Sequence, residues 1–160
     1  MNYYYIKDGD DSTPLHLAVK TGDEFIIRNL TLAGGEINAT DRNQSTPLHL
    51  ATELDLGKII EILLQCGAEA KLADESGNNC LHLAARWNAA TVTPILLAQS
   101  NIDPKLPNAK GKNFLHLLAF HGLVTSLCRI YINYSFITKW GQCRRAVQHA
   151  HGARSELSNQ

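Results

Sequence analysis

The sequence predicts an all-α solenoid in which four helix–turn–helix repeats are stacked and joined by short β-hairpin-like turns. The phrase TPLHLA occurs twice without change, and the looser copies NCLHLA and NFLHLL follow it. The histidines of the four copies stand 33, 33 and 34 residues apart: His16, His49, His82 and His116. Second apolar segments, FIIRNLTL and KIIEILLQ, follow the first two copies. Two short helices cannot bury their apolar faces alone, whereas stacked copies form a continuous core.

The unit in residues 41–73 shows how each repeat is built. Its opening, DRNQS, has the residue types of a turn. Thr46 followed by proline predicts a helix start, because the hydroxyl caps a free backbone N–H and proline has none to leave unpaired. Gly57 predicts the break after this first helix. A second helix with a wide apolar face is predicted from about Lys58, and Gly67 closes it with a left-handed residue.

The same plan repeats along the chain with local changes. Asn79 and Asn113 replace threonine as caps in the third and fourth copies, which also lack the proline. A short final helix is predicted from Gln142 to His151. We predict repeats at about 8–40, 41–73, 74–107 and 108–135, after a lead-in at 1–7 and before a C-terminal cap and tail at 136–160.

The repeated histidines and the cysteines are interpreted as structural residues. Each histidine lies one turn into its first helix, where it can hydrogen-bond across the turn or to the neighbouring repeat. Stacking separates the histidines by about one repeat each, so they do not form a metal site. The cysteines are predicted to be reduced and mostly buried: Cys66, Cys80, Cys128 and Cys143. A zinc site would need closer ligand pairs, and the one candidate combines Cys143 with His149 and His151.

Composition and charge exclude several classes of protein. The 15 basic and 15 acidic residues balance, so no sequence-independent attraction to nucleic acid or membrane is expected. No apolar run approaches the roughly 20 residues of a membrane span. The N-terminal residues lack the basic and apolar segments of a signal peptide, which favours a cytosolic protein. No catalytic triad, phosphate-binding glycine loop or buried carboxylate pair is indicated, so we expect neither an enzyme nor a cofactor.

The repeated phrase resembles the ankyrin repeat over about residues 8–135. Two stretches are similar to inhibitors of NF-κB (IκB): the opening DGDDSTPLHLAVKTGDEFIIRNL, and the D..GN..LHLA turn from Asp74 to Ala84. The sequence shows neither the DSGxxS phosphodegron nor the acidic tail of IκB proteins. In this it resembles the viral ankyrin proteins of polydnaviruses.

This resemblance implies an inhibitor that binds NF-κB/Rel-homology factors of an insect host and suppresses immune signalling. Without the degron, the host's signalling kinase would not release it. We expect such a protein to be monomeric when free and to contact neither nucleic acid nor membrane directly. We expect it to act in the host cytoplasm, and a chain this small could also enter the nucleus by passive diffusion. An ankyrin adaptor or scaffold for another host protein is the alternative. The stretch LTLAGGEIN, which ends at Asn38, also resembles the substrates of asparaginyl hydroxylases that act on ankyrin repeats.

The exposed surfaces of a stacked array are its turn tips and the solvent side of its first helices. Leu54, Trp87 and Phe120 recur near the ends of successive first helices and would form an apolar stripe, the kind of surface where binding hot spots concentrate. The alternative is that Trp87 and Phe120 fold over their helix ends as part of the core. We predict these partner-binding residues: Lys20, Asp41, Arg42, Glu53, Leu54, Asp74, Glu75, Arg86, Trp87, Lys110 and Phe120.

Acidic residues are concentrated in the first repeat and the turn after it: Asp8, Asp10, Asp11, Asp23, Glu24 and Asp41. A basic nuclear-localisation segment of a Rel protein would suit this end electrostatically, and the resemblance agrees, because the first repeats of IκB proteins cover such a segment. Alternatively, these residues form a solvated acidic cap that complements helix N-termini.

Overall fold

A computed structural model describes residues 6–99 and 102–121 of the chain. In these ranges it contains seven helices and no strand: α1 Pro14–Thr21, α2 Glu24–Leu32, α3 Pro47–Glu53, α4 Gly57–Gln65, α5 Cys80–Trp87, α6 Val92–Ala98 and α7 Phe114–Phe120. The predicted second helix of the fourth repeat and the cap and tail at 136–160 lie outside the described residues. So do Cys128 and Cys143.

The helices form two layers. Helices α1, α3, α5 and α7 contact one another in chain order and make up the first layer. Helices α2, α4 and α6 each pack against the helix before them and against one another, which makes the second layer. The all-α solenoid of stacked helix–turn–helix repeats is therefore confirmed, with α7 as the first helix of the fourth repeat.

The core lies between the two layers and continues from one repeat to the next. Leu48, Ile60, Leu63 and Leu81 are completely buried and belong to one contiguous cluster. They come from α3, α4 and α5, so the cluster crosses the boundary between the second and third repeats. Burial of each such side chain contributes about 1.5–3 kcal/mol, and a single repeat could not provide the covering surface.

The predicted helix starts are present in the first layer. The Thr46 hydroxyl accepts from the backbone N–H of His49 at 3.4 Å, and the Asn79 side chain accepts from that of His82 at 3.2 Å. Proline stands at the first position of α3, as the sequence indicated. The side-chain oxygens pair backbone donors that the first helical turn leaves free.

Gly57 has a different role from the one predicted. It is the first residue of α4 rather than a break before it, and it is buried. A Cβ atom at this position would come within 2.9 Å of Cγ2 of Thr91, in the next repeat. The glycine is therefore needed because the third repeat packs closely against the start of α4. Gly67 matches its prediction, with φ of 94° just after the end of that helix.

Helix α6 is capped by a residue of the preceding repeat. One carboxylate oxygen of Asp55 accepts from the backbone N–H groups of Thr91 and Val92 at 3.1 and 3.0 Å. Its other oxygen accepts from the Thr91 hydroxyl at 3.0 Å. Asp55 itself has φ of 53°, a left-handed conformation that aspartate tolerates better than most residues. The cap therefore also fastens the second repeat to the third.

The cysteines of the described ranges differ in exposure. Cys80 is completely buried, as predicted, and burial raises the pKa of its thiol to about 12. Cys66 is exposed, which corrects the expectation of a buried thiol for this residue. It lies just after the last residue of α4, at the C-cap. In the described ranges no helix is long and apolar enough to cross a membrane.

Candidate protein-binding surface

Three of the four repeated histidines, His16, His49 and His82, are buried connectors between repeats. In the second repeat, Nδ1 of His49 accepts from the backbone N–H of Thr46 at 3.0 Å, so the ring proton lies on Nε2. That Nε2–H donates to the carbonyl of Leu72 at 3.1 Å, just before the next tip. His16 and His82 reach the carbonyls of Ser45 and Lys112 in the same way, at 3.0 and 3.1 Å.

These contacts confirm the structural interpretation of the histidines, including bonds both within the turn and to the neighbouring repeat. Burial is the main reason that the pKa values of three of them lie below the usual range: His16, His49 and His82. The rings are therefore neutral at physiological pH, and their hydrogen bonds join each repeat to the next.

The turn tips share one geometry. Oδ1 of Asp41 accepts from the backbone N–H groups of Asn43 and Ser45 at 2.8 and 2.9 Å. The backbone closes the same turn, from Asp41 N–H to the Ser45 carbonyl at 3.0 Å, which is the hairpin-like form predicted. The residue that opens each of the other tips accepts the equivalent two bonds: Asp8, Asp74 and Asn108.

Asp41 and Asp74, two of the predicted partner-binding residues, therefore already have intramolecular partners. Both are half-buried, and Oδ2 of Asp74 also accepts from the side-chain amide of Asn78 at 3.1 Å. Their first role is to shape the tips. The side chains that project from the tips are instead Arg42, Glu75 and Lys110, all exposed.

Backbone hydrogen bonds link neighbouring tips into a row. The Glu75 N–H donates to the Asn43 carbonyl at 3.0 Å, and the Ala109 N–H donates to the Ser76 carbonyl at 3.2 Å. Gly77 is required here, since its φ is 73° and a Cβ would come within 2.7 Å of the Ala109 nitrogen. The tips are thus held in a fixed line along one edge of the array.

The solvent side of the first layer carries exposed apolar side chains. The exposed fractions are 50% for Leu54, 53% for Trp87 and 73% for Phe120. These values favour surface residues over the alternative that Trp87 and Phe120 complete the core. Leu54 and Trp87 are each the fifth residue after the histidine of their repeat. Phe120 is the fourth residue after its histidine, which is the position that Arg86 holds in the third repeat. The apolar row therefore shifts by one position at the fourth repeat.

Polar and charged groups are arranged around these aromatic rings. The Arg86 guanidinium carbon lies 5.7 Å from the Trp87 ring centroid, and Nζ of Lys112 lies 4.8 Å from that of Phe120. Burial raises the pKa of the half-buried Glu53 carboxyl, while a hydrogen bond from Trp87 and the nearby charge of Arg86 oppose that rise. The middle of the first layer thus combines aromatic, cationic and anionic groups, which is the composition of an interface hot spot. We refer to Lys20, Glu53, Leu54, Arg86, Trp87 and Phe120 as the first-layer face.

Comparison with known proteins identifies the type of repeat. Residues 3–74 match the family model described as ankyrin repeats (3 copies). The chain has an ankyrin-repeat fold. Rabankyrin-5 of Mus musculus and Rabankyrin-5 of Homo sapiens are each 54% identical to it over 33 residues, which is 21% of this chain and 3% of theirs. The chain thus matches only a small part of the length of these relatives.

The ankyrin-repeat fold indicates a protein–protein interaction module. Proteins of this kind are generally non-enzymatic interaction scaffolds, because their stacked repeats offer an extended exposed surface. The matches are to ankyrin repeats in general and do not single out the IκB-like proteins.

Some features of this ankyrin-repeat surface were not predicted. Lys112 is not among the predicted binding residues, yet its ammonium group lies over the Phe120 ring. The second layer has exposed apolar side chains of its own, with 73% of Phe25 and 84% of Leu32 accessible. The segment EFIIRNLTL has more apolar residues than one helix face can hold, and this was the available signal.

Proposed function

We propose that this ankyrin-repeat chain binds a Rel-homology transcription factor of an insect host through the first-layer face and the neighbouring tips. Bound there, it would hold the factor in the host cytoplasm and keep it from DNA. The observation that carries the binding surface is the exposed row of Leu54, Trp87 and Phe120. The identity of the partner is supported by the sequence resemblance to IκB-like proteins of polydnaviruses.

The first-layer face suits a protein partner for physical reasons. Aromatic side chains bury a large area at small entropic cost, and Trp87 also has an N–H that can donate to a polar group of a partner. The cations over Trp87 and Phe120 favour these ring orientations in the free chain. Such pre-organisation reduces the entropy lost on binding.

The acidic residues near the first repeat give weaker support than the sequence suggested. Asp23 caps α2 by accepting from two backbone N–H groups, and Asp8 shapes the first tip. Asp10 forms an ion pair with Arg42 at 3.5 Å, between side chains that are both largely exposed. These contacts favour the alternative of a cap that complements helix N-termini. A basic segment of a Rel protein would still meet a net negative end, but not a set of free carboxylates.

An adaptor or scaffold for another host protein is equally consistent with ankyrin repeats. Such an adaptor would use the same face, so mutations in the face alone cannot separate the two functions. The two proposals differ in the partner retained and in what happens to DNA binding.

The experiment is a pull-down of insect Rel-homology domains from cell extract on the immobilised chain, followed by competition with a labelled DNA site. We expect a Rel protein to be retained and its DNA complex to be lost in proportion to the chain added. Stimulating the host pathway should leave the complex intact, because the proposal gives the inhibitor no degron-dependent release.

Phe120→Ala and Phe25→Ala form a matched pair of variants for this experiment. Both phenylalanines are 73% exposed, but Phe120 belongs to the first layer and Phe25 to the second. We expect Phe120→Ala to weaken retention about tenfold or more and Phe25→Ala to leave it unchanged. Retention of no Rel protein at micromolar concentration would refute Rel inhibition, and equal effects of the two variants would refute the assignment of the face.

A further inference from the structure

Charged residues alternate in sign along the first-layer face. The fourth residue after each repeated histidine holds the same place on successive first helices: Lys20, Glu53, Arg86 and Phe120. Because α1, α3, α5 and α7 contact one another in that order, these positions follow one another across the array. The row therefore reads positive, negative, positive and aromatic.

The charges in this row do not form ion pairs with one another, although Arg86 is near enough to influence the Glu53 carboxyl. Ion pairs in the described ranges join Arg42 to Asp10 at the tips and Lys71 to Glu69 in the segment between α4 and α5, and neither pair involves a residue of the row. Arg86 lies over the Trp87 ring, and Glu53 interacts with the same tryptophan. Opposite charges on neighbouring helices thus remain more than 4 Å apart and are available to a partner.

The spacing of the row selects the kind of segment that could match it. Packed helices lie about 8–10 Å apart, so neighbouring charges in the row are separated by about that distance. An extended segment in the polyproline II conformation has three residues per turn and advances about 3.1 Å per residue, so every third side chain lies on the same side and meets the next position. A β-strand would not match, because its side chains alternate between two faces. A partner helix, which rises about 1.5 Å per residue, would need about five to seven residues for each step.

We propose that the first-layer face recognises an extended, polyproline II-like segment of its partner with the pattern acidic–x–x–basic–x–x–acidic and with an apolar residue three positions beyond the acidic residue that faces Arg86. The acidic residues face Lys20 and Arg86, the basic residue faces Glu53, and the apolar residue packs on Phe120. The segment can run in either direction, provided that the apolar residue lies at the α7 end. This inference rests on the proposed function only in taking the first-layer face as the binding surface.

Charge complementarity of this kind determines which partner is accepted. A segment with the reversed pattern would place like charges together at three successive positions, which costs binding free energy at each of them. A segment with the right charges at the wrong spacing would match one position and miss the others. The row therefore distinguishes partners by both sign and spacing.

The test uses phage-displayed linear peptides of twelve random residues, selected on the full chain and in parallel on Glu53→Lys and Arg86→Glu. Peptides selected on the wild type should carry the acidic–x–x–basic–x–x–acidic pattern. Those selected on Glu53→Lys should exchange the central basic residue for an acidic one, and those selected on Arg86→Glu should exchange one outer acidic residue for a basic one. Circular dichroism shows which variant keeps the helical fold, and one folded variant is sufficient.

The selected peptides are then synthesised and titrated against Phe120→Ala and Phe25→Ala. We expect at least a fivefold loss of affinity for Phe120→Ala and none for Phe25→Ala. Peptides without the spaced pattern, or with the same pattern on the wild type and on both charge variants, would overturn this inference. If such peptides still depend on Phe120, the first-layer face of the proposed function stands. If the pattern is found and no Rel protein is retained in extract, only the proposed identity of the partner fails.

Discussion

Replacing His49 by alanine should destabilise the array strongly. The ring is completely buried, and its removal takes away the acceptor for the Thr46 N–H at 3.0 Å and the donor to the Leu72 carbonyl at 3.1 Å. Leaving a buried polar group without a partner costs about 1–3 kcal/mol, so the two groups together give about 2–6 kcal/mol. This is a large part of the total stability of a small domain, which is about 5–15 kcal/mol.

The matched control is His116→Ala, in the same phrase of the fourth repeat. His116 is exposed, and Nδ1 lies 2.6 Å from the Asn113 side chain, within its own turn. Exposed groups regain hydrogen bonds with water, so we expect a loss of about 0.5–1.5 kcal/mol. The assay is urea unfolding followed by circular dichroism at 222 nm, a standard wavelength for helix content, with midpoint and slope compared between variants. Equal losses for the two variants would refute the connector role of the buried histidine.

Three further predictions concern the stability of the array. Burial lowers the pKa values of His16, His49 and His82, so below about pH 6.5 the unfolded chain binds protons that the folded chain does not bind. The urea concentration at the unfolding midpoint should therefore decrease as the pH is lowered from about 7.5 to about 5.5, and an unchanged midpoint would contradict this. Asp55→Ala should cost about 1–2 kcal/mol by removing the cap of α6, and Asp55→Asn, which keeps a side-chain carbonyl, should cost less in the same assay. Gln44→Gly should stabilise by about 0.5–1 kcal/mol, since Gln44 has φ of 57°; a lower thermal midpoint would show that the turn does not hold that conformation.

The helices of the first layer could be predicted from the sequence alone because the residues that start them are close together in the chain. Thr46 caps α3 three residues away, and His49 bonds back to the same turn, so both were readable from one short phrase. The roles of Gly57 and Asp55 could not be predicted from the sequence, because each depends on a contact with Thr91 of the next repeat. No pattern within one repeat shows that a glycine or an aspartate faces a neighbour.

Among the predicted binding residues, exposure could be predicted from the sequence, but intramolecular bonds could not. Trp87 could be expected at the surface because a first helix needs only one buried face, and its exposure agrees. Asp41 was predicted to bind a partner because it stands in an exposed turn, yet its carboxylate is used by the turn itself. The sequence identifies which segments reach the surface but not which side chains remain free there.

The hydrogen bonds between repeats also have a consequence for how the chain folds. The side-chain bonds between repeats described above join residues that are at most 37 positions apart, and the histidine bonds among them span 23 to 30. Closing each contact therefore requires ordering about one repeat's length of chain, however many repeats follow. Chains whose contacts are this local fold quickly, and ordered structure can start at one pair of repeats and extend outward. Pulling the two ends apart should accordingly open the array one interface at a time rather than in a single event.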